Sequence, residues 1–72
     1  MRPESAADAI RQLNTAINFW SHDPAIPENK TWVRTAWRAA TKALGAEETY
    51  AAVRARQGWL LADAARRLAR TN

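Results

Sequence analysis

The chain has 72 residues, no cysteine and a formal net charge of +4, which excludes a disulfide framework and a thiolate metal site and leaves room for one small domain. Residues 1–30 carry three basic against four acidic side chains, whereas residues 31–72 carry eight against three, so the positive charge belongs to the second half. Nine of the eleven basic residues are arginine, the side chain suited to bidentate contact with carboxylate or phosphate and to stacking on aromatic rings.

The residues after Met1 enter an amphipathic pattern rather than a signal-peptide core, and no apolar run reaches membrane-spanning length. A cytoplasmic protein with no membrane partner is the expectation. The first helix is predicted over residues 5–20: Ser5 and Asp8 stand in the S-x-x-D relation of a helix start, and Ala6, Ile10, Leu13, Ile17 and Trp20 follow at spacings of four and three. Two prolines and several turn formers make residues 21–30 a loop, with Ile26 as its anchor to the core. The second helix is predicted to begin within residues 27–31, Asn29 or Thr31 supplying the cap and Pro27 suiting a first turn, and to run to Leu44. Its apolar line is Val33, Trp37, Ala40 and Leu44. Arg34, Arg38 and Lys42 recur every four residues as a basic stripe beside it. Gly45 ends the helix.

The third helix is predicted as one long element over residues 46–70, with Glu47 and Glu48 in its first turn. Tyr50, Val53, Gln57, Leu60, Leu61, Ala64 and Leu68 keep one apolar phase, and no Ser, Thr, Asp or Asn near Gly58 offers to cap a restarted helix, so continuity through Gly58 is favoured. At about 100° per residue that phase turns Trp59 away from the core. Beside it on the back face fall Ala51, Ala52, Ala55, Ala62 and Ala69, with Arg66 and Arg70. Small side chains admit a close neighbour and tryptophan is a frequent interface anchor. The predicted fold is therefore an all-α three-helix bundle, two shorter helices on a long C-terminal one, in a single helical domain over 1–72. A core this small gains from being shared, so a helical homodimer is expected. Trp20, Trp32 and Trp37 are expected to plug one end of the core.

Chemistry has few candidates. Ser21, His22 and Asp23 are consecutive and cannot ordinarily adopt relay geometry. His22 is the one histidine, and the two glycines build no phosphate loop. No enzyme activity, cofactor or metal is expected. The favoured function is a small protein-interaction module, a regulator or inhibitor that binds a larger protein through Trp59, Ala55, Ala62, Arg66 and Arg70, its partner presenting an acidic surface. The alternative is a basic helical nucleic-acid-binding protein that makes phosphate-backbone contacts through Arg34, Arg38, Lys42, Arg56, Arg66, Arg67 and Arg70. Residues 40–50, helix then Leu44-Gly45-Ala46 then helix, resemble a helix-turn-helix motif. Thr41 and Arg54 depart from its apolar positions, and Glu47 and Glu48 would sit at the groove-entering end, where they repel phosphate.

Overall fold

The computed structural model describes residues 5–71 and is all-helical: α1 (Ala6–His22), α2 (Pro27–Leu44), α3 (Ala46–Gln57) and α4 (Trp59–Arg70). α1 begins as its sequence dictates. Extended Ser5 accepts the backbone N–H of Asp8 at 3.2 Å, and Asp8 pairs with Arg11 one turn on. The helix continues two residues beyond Trp20, and its last carbonyls are capped from α2. The Asn29 amide donates to the carbonyls of Phe19 at 3.3 Å and Asp23 at 3.0 Å. Asn29 thus closes the previous helix rather than opening its own. α2 starts at Pro27, earlier than Thr31, because proline at the first position needs no N–H partner and arrives with helical φ. Ile26 precedes it as an exposed N-cap residue and anchors nothing in the core.

The long helix predicted over residues 46–70 is two helices. Gly58 stands between them at φ 90°, ψ 162°, and Gly45 does the same between α2 and α3 at φ 96°, ψ 158°. Both lie in a region of backbone space essentially reserved for glycine. Each glycine closes one helix and opens the next. Gly58 donates to the Arg54 carbonyl at 2.9 Å and accepts from the Ala62 N–H at 3.0 Å; Gly45 donates to Thr41 at 2.7 Å and accepts from Thr49 at 3.1 Å. The missing side-chain cap therefore did not argue for continuity: the glycine backbone makes the junction. The break shortens the molecule. Twenty-five residues of unbroken helix would run about 37 Å, beyond the 30 Å longest extent of the molecule. Bending at Gly58 lets α4 fold back on α2 and α3 and bury its apolar face.

The bend also moves the buried line of the last segment by one residue. Instead of Leu61, Ala64 and Leu68, the positions at the centre of the interface are Ala62, Ala65 and Ala69, with the two leucines packed at its edges. Alanines at the centre let the α4 backbone approach closely. The remaining core comes from Leu13, Ala16 and Ile17 of α1, Val33, Ala36, Trp37 and Ala40 of α2, and Val53 of α3. Each of the fully buried branched side chains contributes about 1.5–3 kcal/mol. Trp20 packs against this core, whereas Trp32 lies at the surface with its ring 5.4 Å from that of Phe19, so only Trp37 of the expected plug is buried. Polar contacts from Gln57 to Asn14 tie α1 to α3, one of them to the Asn14 backbone carbonyl at 3.4 Å. Gln57 donates to the Asn14 side-chain oxygen at 3.0 Å while the Asn14 amide bonds the Ile10 carbonyl at 3.1 Å.

Candidate interaction surface

α4 carries Trp59, Asp63, Arg66 and Arg70 at steps of four, three and four residues, which places them on one stripe. Trp59 opens the stripe with 56% of its surface exposed, and Leu60 beside it is 69% exposed. An unbroken phase would place Leu60 in the core. The junction at Gly58 turns it outward, so the helix begins with two adjacent large apolar side chains in solvent.

Further along, the stripe is fixed by α3. The Tyr50 hydroxyl donates to Asp63 Oδ1 at 2.6 Å, Arg66 donates to the same oxygen at 3.3 Å, and the Arg66 guanidinium lies 4.1 Å over the Tyr50 ring. One aromatic ring and one carboxylate thereby set the orientation of the arginine. The hydrogen bond to Asp63 raises the Tyr50 phenol above its ordinary 10.0, aided by desolvation and the Asp63 charge and opposed by Arg66 and Arg54. Tyr50 remains a donor at neutral pH.

Between α2, α3 and the C-terminal half of α4 lies an open groove of about 760 Å³. Trp37, Ala46 and Ala69 give it apolar lining, and Arg38, Arg66 and Arg70 line it from two helices, the Arg66 guanidinium lying over the Tyr50 ring. Glu47 also reaches the groove, without forming an ion pair to these arginines. The side-chain oxygen of Thr41, another lining residue, is buried with no hydrogen-bond partner.

The residues singled out in the sequence are thus divided. Trp59, Arg66 and Arg70 share a stripe, and Arg38 joins the two arginines across the groove. Ala62 is fully buried and cannot meet a partner; the one-residue shift in phase takes it, together with Ala69, into the core. Ala55 is exposed but belongs to α3, on the other side of the bend from Trp59. The α2 stripe also separates. Arg34 is half-buried and donates to the Leu68 carbonyl at 3.3 Å, so it closes the end of α4 rather than facing an anion. Lys42 and Arg67 are exposed outside the groove, and Arg56 lines a second depression of about 380 Å³ against α1. Tyr50 and Asp63, thirteen residues apart, had no sequence signal joining them, although the Asp63–Arg66 spacing was readable.

At the end of α1 the polar side chains bond nearby backbone. Ser21 Oγ donates to the Asn18 carbonyl at 3.0 Å and His22 Nδ1 lies 2.8 Å from the same oxygen, so neither addresses Asp23 in a relay. Among the described residues no three His, Cys, Asp or Glu side chains gather as a metal site needs. No described helix is long and apolar enough to cross a membrane. The helix-turn-helix resemblance meets a single glycine between α2 and α3, shorter than the three or four residues of that turn. No protein-family model, curated protein or solved structure matches the chain.

Proposed function

We propose that this chain is a small non-enzymatic protein-interaction module, a regulator or inhibitor that covers an acidic surface on a larger protein with α4 as its docking helix. The observation that carries the reading is the pair Trp59 and Leu60, 56% and 69% exposed, at the head of the stripe that continues through Arg66 and Arg70. Large apolar side chains followed along the same helix face by arginine match the residue types enriched at interfaces. A second copy is the competing occupant, as a homodimer would require. Pairing two such faces in parallel sets Arg66 and Arg70 of each copy against like charge, and the net charge of +4 on each chain opposes association in either direction, which favours an acidic partner over self-association.

Nucleic-acid binding is the alternative class, and salt separates the two. Backbone-driven DNA binding weakens by about one logarithmic unit of slope for each phosphate contact. An interface anchored by Trp59 depends less on salt. The test is retention of a discrete partner from nuclease-treated native extract, comparing wild type with Trp59→Ala, and sedimentation velocity on both proteins with circular dichroism as the control for folding. Loss of the partner with a folded, monomeric Trp59→Ala supports the reading. Loss of a wild-type dimer in that variant assigns the face to a second copy, and steep salt-dependent binding of duplex DNA overturns the proposal in favour of the alternative.

A further inference from the structure

Resting on that reading, we infer that the groove between α2, α3 and α4 is a carboxylate receptor, and that its ligand is an acidic peptide segment bearing an apolar residue about 10 Å from its carboxylates. Three features lead there. First, the groove gathers charge that the described chain does not neutralise: no described carboxylate forms an ion pair with Arg38 or Arg70. Second, one of its cations is held in place before any ligand arrives. Arg66 lies against the Tyr50 ring and bonds Asp63, which is itself held by the Tyr50 hydroxyl, so much of the ordering cost of a long side chain is met within the protein. One N–H of Arg66 is spent on Asp63. The remaining donors of the planar fork are those that match a carboxylate in bidentate geometry.

Third, the apolar anchor and two of the cations, Arg66 and Arg70, belong to the same helix at a fixed interval. Trp59 and Arg66 are seven residues apart on one stripe, about 10 Å along the axis. An extended peptide covers that interval with about three residues. Glu47 on the groove favours a ligand with localised carboxylates that can be placed away from it over a continuous polyanion such as a nucleic-acid backbone. The volume of about 760 Å³ accommodates side chains and a short segment of backbone.

The experiment is a nitrogen-15 NMR titration of the full chain with a synthetic peptide carrying a run of glutamates and, three residues away, a leucine. Parallel titrations use the peptide with serine for that leucine, and a short DNA duplex. The expected result is movement of the Arg38, Arg66 and Arg70 side-chain signals together with the Trp59 indole, with affinity reduced roughly tenfold by Arg70→Ala or Arg38→Ala and unchanged by Arg56→Ala. The serine peptide should keep the arginine shifts and lose those of Trp59. Equal loss with Arg56→Ala, or shifts spread over all arginines, shows unspecific charge attraction and overturns the receptor. Tighter binding of duplex DNA at the same residues makes the groove a phosphate site and overturns it too. Failure here with partner capture still lost in Trp59→Ala sinks the receptor alone; failure of both sinks the interaction reading with it.

Discussion

Replacing Gly58 by alanine tests the bend with a sign, not only a size. Gly58 holds φ 90°, ψ 162°, and nothing lies within 4 Å of where a Cβ would stand, so the cost of the methyl group is conformational and owes nothing to a clash. An L-residue in this region costs about 1–3 kcal/mol. The lower entropy of the unfolded alanine chain returns about 0.4–1 kcal/mol. The net expectation is a loss of about 0–2.6 kcal/mol, centred near about 1.3, and at that centre a melting temperature lower by roughly 5–10 °C for a domain of this size. If residues 46–70 were one helix, the same substitution would remove an internal glycine and stabilise the protein by about 1 kcal/mol. Thermal and urea denaturation followed by circular dichroism read both cases. Gly45→Ala provides the internal comparison, since it has the same backbone geometry and equally open surroundings. The two glycines are separated by about 18 Å of α3, so the double variant should show additive losses within about 0.5 kcal/mol. A raised melting temperature for Gly58→Ala would refute the bend and, with it, the register of α4.

Further substitutions test the packing around that bend. Thr49 is fully buried with its hydroxyl unpartnered, so Thr49→Val should raise stability by about 1 kcal/mol in urea denaturation; a loss would show that the hydroxyl has found a partner. Ala62→Leu should cost about 1–3 kcal/mol by overpacking the α2–α4 interface, whereas Leu60→Ser, at a 69% exposed position, should change stability by no more than about 0.5 kcal/mol. The opposite ranking would restore the unbroken phase. Tyr50 has a folded pKa raised above 10.0, so its neutral form is the one the fold favours; the resulting stability is present below pH 10.0 and is lost as pH rises through the folded value. Because Tyr50 is the only tyrosine, phenolate absorbance reads this site alone, and Asp63→Asn should move the titration back toward 10.0. An unmoved titration would remove Asp63 as the principal cause.

Most of the helical content was legible because it follows from local rules. Ser5 with Asp8, the period of Ile10, Leu13 and Ile17, the prolines of residues 21–30 and the glycine after Leu44 each act over a few residues, and the helices lie where those signals put them. The break at Gly58 was not legible for a reason that can be stated. Apolar residues on both the old and the new phase surround it: Leu61, Ala64 and Leu68 keep the phase of Val53 and Gln57, while Ala62, Ala65 and Ala69 define the next one. Choosing between them requires knowing that α2 stands close enough to demand alanine at the centre. Arg34 shows the same limit. Its four-residue spacing to Arg38 and Lys42 reads as one basic face, but the end of α4 arrives over the first of the three and takes its guanidinium.

The bend and the surface are connected by this same geometry. A straight helix from Ala46 would carry Arg66 and Arg70 away from α2 and from its own first turn, so Arg38 and Tyr50 could not face them. Folding back at Gly58 does both. It sets the Tyr50 ring beneath Arg66 and brings Arg70 to the groove that Arg38 lines, and it turns Leu60 into solvent beside Trp59. The apolar head and the cationic tail of the α4 stripe thus depend on one residue with no side chain. The same dependence predicts that Gly58→Ala, in the fraction of molecules still folded, weakens the acidic peptide more than Gly45→Ala does, because only the former distorts the joint between the Tyr50 helix and the Arg66 helix. Equal weakening by the two variants would mean that the groove is set by the α2–α3 turn instead.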